Sequence, residues 1–169
     1  MQSLVTWFAT HLAGKLSGEA IVFIISMIPI LELRGGLLAA SPAFLNVPIL
    51  RAIPICIIGN LIPIPFILLL LTRVLDWMKT VKFFRPFAMW LEEHILKRRD
   101  QIEKYEFWGL VLFVGIPLPG TGAWTGSGIA ALLHMDRKKA FLAIILGVIM
   151  ATVIMSVISY GLLGALFGK

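Results

Sequence analysis

The sequence predicts an all-α integral membrane protein made of two units related by an inverted repeat. Each unit is a re-entrant helical hairpin followed by a transmembrane helix, and interfacial amphipathic helices complete the architecture. Three observations carry this expectation. The chain is 59% apolar and only 14% charged, with a mean hydropathy of +0.96, whereas about a quarter of the residues in a soluble domain are charged. A short apolar block broken by Pro and Gly, then a long apolar block, occur in that order twice. Finally, eleven of the fifteen Lys and Arg residues fall in two stretches, 73–104 and 137–139, the asymmetry expected of cytoplasmic loops. The chain has 169 residues, and with about 20 needed per full crossing it forms one membrane domain, 1–169, with no room for a second.

Residues 1–18 read as an interfacial helix. Val5, Phe8, Leu12 and Leu16 recur at helical spacing, and Trp7 and Phe8 suit the headgroup level. There is no early basic region, and Gln2, His11 and Lys15 interrupt the apolar positions, so the segment does not read as a secretory signal. The first re-entrant hairpin is expected over 20–45, interrupted by Pro29, Glu32, Arg34, Gly35 and Gly36. Its first arm, Ala20 to Leu31, reaches only about 18 Å at about 1.5 Å per residue, short of a hydrocarbon core of about 30 Å. The segment 49–71 is long enough to cross despite Pro54, Pro63 and Pro65, and its one charge, Arg51, lies near its start.

Residues 72–107 concentrate the soluble character and read as cytoplasmic amphipathic helices divided at Pro86. Trp77, Met78, Val81, Phe84, Trp90, Leu91 and Ile95 form an apolar stripe beside Lys79, Lys82, Arg85, Lys97, Arg98 and Arg99, suited to an anionic leaflet. Glu93 with Lys97 and Asp100 with Lys104 have the spacing of helical ion pairs, and His94 among them needs no metal. The second hairpin is expected over 108–133, broken by Pro117, Pro119, Gly120 and Gly122. A final transmembrane helix, 138–168, is free of charge after Lys139 until its end.

The two units align without gaps at a constant offset of 88: Ile28 with Ile116, Pro29 with Pro117, Arg51 with Lys139, Ala52 with Ala140, and Gly59 with Gly147. Internal repeats of this kind are a plan used by transporters. With both basic stretches cytoplasmic and both termini outside, the first broken block starts and ends outside and the second starts and ends inside. The hairpins then dip in from opposite faces, which makes the repeat inverted, with its axis in the membrane plane.

Backbone that leaves a helix within hydrocarbon is tolerated only where it is buried in protein or lines a watery cavity. Two opposed tips therefore imply a polar cavity at which half-helix ends present their partial charges. Glu32 and Arg34 are the only formal charges in either hairpin, and each would cost roughly 2.5–3.5 kcal/mol facing lipid at a helix centre. They are expected to face inward. Being two apart they do not face each other on a regular helix, so either the backbone is unwound there or each has another partner. Two readings stay open: a substrate or proton site, or a structural polar link between the hairpins.

The candidate site combines Pro29, Glu32, Arg34 and Gly35 of the first tip with Pro117, Pro119, Gly120, Thr121, Trp124 and Thr125 of the second, which carries no charge. Threonine in membrane helices also bonds back to its own backbone. Gly122, Gly126 and Ala130, at four-residue spacing, suit close helix packing. Cys56 is a lone buried hydrophobe. No metal or cofactor is called for. The net charge of +6 follows from topology, and nucleic acid is not an expected partner.

The segment Pro29-Ile30-Leu31-Glu32-Leu33-Arg34-Gly35-Gly36, followed by Ile116-Pro117-Leu118-Pro119-Gly120-Thr121-Gly122-Ala123-Trp124-Thr125-Gly126, resembles the small multidrug export family, a relative of the DedA membrane proteins. The resemblance covers nearly the whole chain. It implies opposed re-entrant hairpins, a bacterial or archaeal cytoplasmic membrane, and transport of a drug-like or lipid-like substrate coupled to protons or other ions. DedA proteins proper are linked to phospholipid or polyprenyl-phosphate carriers and have arginines around the proline motif of their second hairpin. This sequence has none between Trp108 and Leu133.

Two functions compete on this reading. One is a proton- or ion-coupled secondary transporter of a small amphipathic or ionic solute, with Glu32 as the proton carrier. The other is a DedA-type lipid translocase, in which Arg34 grips a headgroup phosphate. An enzyme is disfavoured, because there is no His-Glu metal pattern, no Asp dyad and no serine with a base near the hairpins. Expected partners are membrane lipids, the small-molecule or lipid substrate, and a second copy of the chain, since one copy has little protein with which to shield both tips.

Overall fold

Capping residues, prolines and glycines set where the helices begin and end. The computed structural model describes residues 6–7, 11–12, 16–97 and 106–162. Ser17 accepts a hydrogen bond from Ala20 N at 3.2 Å and so starts α1, Gly18–Met27. A turn around Pro29 separates it from α2, Glu32–Ala40. Next come α3, Ile49–Leu61, and α4, Ile64–Thr80, then α5, Arg85–Leu96, with Pro86 in its first turn, where a missing N–H costs nothing. The second half repeats the order: α6, Glu106–Gly115, a break over 116–122, and α7, Ala123–Leu132. Asp136 caps α8, Arg137–Ser156, its carboxylate 2.9 Å from Lys139 N, and a π-helical segment, Val157–Leu162, prolongs it. Every element among the described residues is helical.

Among the described residues two helices are long and apolar enough to cross a membrane: Ile49–Thr80, 32 residues, and Arg137–Gly161, 25 residues, whose 18-residue apolar stretches have mean hydropathies of 2.4 and 2.8. Most of their surface is not covered by the rest of the chain, and Leu50, Phe66 and Val153 are among the exposed apolar side chains. Helices so long, so apolar and so little covered are those of a membrane protein.

The sequence places the end of the first crossing at Leu71, but the helix runs on to Thr80 and is interrupted earlier, between Leu61 and Ile64. Pro63 and Pro65 cannot donate to the ladder, which is why the break falls there. The amphipathic segment thus begins as the end of α4 and turns at 81–84 into α5. Lys79 and Glu92, 2.6 Å apart, tie the two together. Ala88 and Ile95 of α5 are buried, while Phe87, Met89 and Trp90 are exposed. The Glu93–Lys97 pair is present at 3.3 Å; the Asp100–Lys104 pair lies outside the described residues. Most of 1–18 and all of 163–168 also lie outside them. Trp7 stacks on His11, with centroids 4.6 Å apart.

Close packing rests on glycine in both halves. A Cβ on Gly59 of α3 would lie 2.9 Å from Phe23 O and 3.0 Å from Ser26 Cβ. A Cβ on Gly147 of α8 would lie 2.9 Å from Val111 O and 2.6 Å from Val114 Cβ. Phe23 and Val111, and Ser26 and Val114, are both 88 apart, so the two long helices approach their short partners at matching positions. Each long element also reaches beyond its own half, α4 packing on α7 and α8 on α2. Tyr160 donates its hydroxyl to Val47 O at 2.7 Å. The core joins both halves, with Val22, Leu37, Cys56, Leu110, Val114 and Ile144 in one cluster.

Candidate functional site

The first break is tight. Ile28 N bonds Ile25 O, Leu31 N and Glu32 N both reach Ile28 O, and Gly35 N bonds Leu31 O. Glu32 takes φ 50, a left-handed conformation outside the helical region, and the helix resumes directly after it, so Arg34, Gly35 and Gly36 lie on helix while Glu32 sits at its irregular start. Both arrangements open from sequence occur together: the backbone leaves the helical conformation at Glu32, and each charge has its own partners, which belong to the other hairpin.

Glu32 accepts from Ala123 N at 3.2 Å and from Trp124 N at 3.0 Å, the first two N–H groups of α7. Those donors lack intrahelical partners in any helix and carry the positive end of its dipole. Arg34 turns the other way. Nη1 donates to Leu118 O at 2.8 Å, and Nη2 lies 3.0 Å from Thr121 Oγ1 and 3.3 Å from both Val114 O and Ile116 O. Val114 O and Ile116 O are at the end of α6, the negative end of that dipole, while Leu118 O and Thr121 Oγ1 belong to the break. One carboxylate and one guanidinium, a turn's half apart on α2, thus cap the two broken ends of the second hairpin. Both are buried, at 5% and 7% exposure.

Glycine makes the approach possible. Gly122 has φ 137, and a Cβ there would collide with the Glu32 carboxylate. Sequence reasoning read Gly122 as a packing residue together with Gly126 and Ala130. Gly126 is one, against Val114 and Leu110; Gly122 belongs to the junction. Also unforeseen were the carbonyls of Val114, Ile116 and Leu118 and the N–H of Ala123. Gly122 directly before a helix start was the available signal.

The junction brings together Glu32, Arg34, Thr121 and Trp124, the last through its backbone. The Thr121 hydroxyl also lies 2.9 Å from Ile116 O and from Leu118 O, so it serves its own turn as well as Arg34. The Trp124 indole N–H is buried with no hydrogen-bond partner. Gly120, with φ 76, Pro117 and Pro119 shape the break without supplying side-chain donors. Pro29 is exposed at the first tip. Gly35 packs against Leu31 and Ile25, and Thr125 is half-buried outside the junction. Among the described residues no three His, Cys, Asp or Glu side chains converge to hold a metal.

Chemically, the carboxylate is a proton acceptor held by two N–H donors, and a proton on it converts an acceptor into a donor facing those same groups. The guanidinium is a permanent cation held by backbone oxygens. No curated protein and no solved structure matches the chain. A family match covers residues 32–154; it begins at Glu32 itself and contains both sides of the junction. The chain is a membrane protein that belongs to the family described as "Putative small multi-drug export protein".

Proposed function

We propose that the protein is a multi-pass secondary transporter of the prokaryotic cytoplasmic membrane that moves a small amphipathic or ionic solute in exchange for protons or other ions. The observation that carries this reading is the buried Glu32–Arg34 junction, which joins the breaks of two short-armed hairpins by charge-to-backbone contacts. The hairpins are re-entrant, from opposite faces, and the two units form an inverted repeat. The matching contacts of Gly59 and Gly147 and the reciprocal packing of α4 on α7 and α8 on α2 support that repeat. Protonation of Glu32 weakens its hold on the start of α7, and this frees the break to rearrange. Solute and proton are coupled because both compete for the same polar groups.

The test uses purified protein in sealed liposomes with an imposed proton gradient and a fluorescent amphipathic cation. Wild-type protein should accumulate the cation against its gradient only while the proton gradient lasts. Glu32→Gln should insert and fold yet lose that dependence. Gradient-driven accumulation by Glu32→Gln at the wild-type rate would remove Glu32 from coupling. Scrambling of labelled phospholipid without a gradient would instead favour the lipid translocase, for which Arg34 has to leave its carbonyl partners. Topology is tested separately in a Cys56→Ser background: Lys97→Cys and Lys138→Cys should react from the same side of sealed vesicles.

A further inference from the structure

The 88-residue offset makes the two ends of the molecule comparable, and they differ. At one end the start of α1 is shut against the connection from α2 to α3. Glu19 Oε1 lies 3.3 Å from Arg51 Nη1, and a Cβ on Gly18 would lie 3.1 Å from Val47 Cγ2. At the other end a cleft of about 430 Å³ lies between the start of α6 and the start of α8, lined by Glu106, Phe107, Lys139 and residues 133–136. Moved back by 88, that lining becomes Gly18, Glu19, Arg51 and residues 45–48. The open cleft and the closed contact are built from corresponding positions.

The backbone agrees with the correspondence. Asn46 has φ 50 and His134 has φ 54, and they are 88 apart. The left-handed region is uncommon for residues other than glycine, so its recurrence at the same place in both connections means that they have the same local form. What differs is the ion pair. Arg51 holds Glu19, whereas Lys139, its counterpart, makes no ion pair among the described residues. The Asp136 carboxylate is engaged as the cap of α8. Glu106, one position before the counterpart of Glu19, is therefore, among the described residues, the acid left at the cleft for Lys139.

We propose that the two ends are alternating gates, and that this structure has the Glu19–Arg51 gate shut and the Glu106–Lys139 gate open. In the opposite state Lys139 closes onto Glu106 while Glu19 and Arg51 part, and the Glu32–Arg34 junction lies between the two. Exposed ion pairs are individually weak, so exchanging one for the other leaves both states close in energy, as alternation requires. The inference rests on the transporter reading and on the repeat.

The experiment uses the full chain with Cys56→Ser in sealed vesicles, comparing each variant oxidised and reduced. Glu19→Cys with Arg51→Cys should form a disulfide readily and leave a third substitution, His134→Cys, as reactive to maleimide as before oxidation. Glu106→Cys with Lys139→Cys should form its disulfide more slowly, because the closed form has to be sampled. Once formed, that disulfide should raise maleimide labelling of Asn46→Cys several-fold. Failure of the Glu106→Cys and Lys139→Cys pair to cross-link, or labelling of Asn46→Cys indifferent to that disulfide, would overturn the proposal. Each disulfide should also stop cation uptake. Labelling that exchanges while no cation moves in any variant would leave the coupled gates standing and remove the transporter reading. Uptake that continues with either disulfide formed would remove the gates alone.

Discussion

The two helix breaks solve the same problem in opposite ways. The break after α1 closes on itself within a few residues, its N–H groups returning to Ile25, Ile28 and Leu31. The break between α6 and α7 spans 116–122 and includes two glycines at positive φ. It leaves carbonyls at one lip and N–H groups at the other, and both are completed by Glu32 and Arg34 of the first half. Leu118 N bonds Ile116 O and Thr121 N bonds Leu118 O, so the wide break closes partly on itself and borrows the rest of its partners. At the offset of 88, Glu32 corresponds to Gly120 and Arg34 to Gly122. One half carries the charges and the other carries glycine at the matching positions, which leaves room for them.

Breaking that complementarity should have the largest effect. Arg34→Ala takes the guanidinium from four acceptors, three of them carbonyls, and removes the positive charge near the buried Glu32, so stability should fall by about 3–5 kcal/mol, read as loss of monodisperse protein on heating in detergent. Gly122→Ala places a Cβ against the Glu32 carboxylate at a φ that disfavours it, for about 2–4 kcal/mol. Gly120→Ala, which meets only the positive φ of 76, should cost about 1 kcal/mol; equal losses at the two positions would mean that the approach of Glu32 is not what Gly122 protects. Gly59→Ala and Gly147→Ala should each cost about 1–3 kcal/mol and resemble one another, and a large disparity in melting would argue against equivalent units. The smallest effect is expected from Glu19→Gln. Its pair with Arg51 is well exposed, at 38% and 71% of the two side chains, and contributes below about 1 kcal/mol, so thermal stability should hardly change.

Much of this was readable in the sequence because hydrocarbon punishes unpaired backbone. Pro29 and the run from Pro117 to Gly122 could only be breaks, and the breaks fell there. The end of the first long helix was not readable, because 72–80 is amphipathic and helical whether it continues a crossing or starts a surface element. The junction was half legible. Burial of Glu32 and Arg34 followed from their charge alone, and Thr121 was foreseen at the site, but their other partners are backbone atoms 80–92 residues away, and backbone groups leave no trace in side-chain identity. Only Gly122 carried a sign of them, and four-residue spacing disguised it as packing.

The dependence of the second hairpin on the first has a consequence for how the protein is made. Synthesis runs from the N-terminus, so Glu32 and Arg34 are made some 90 residues before Trp124 exists to receive the carboxylate. Through that interval two charges await their caps, shielded by water, lipid headgroups or the insertion machinery. The second hairpin, by contrast, is born with its partners already present. The two halves are therefore not interchangeable in time. Expressed as separate polypeptides, the second should fail to persist in the membrane unless the first is supplied alongside it.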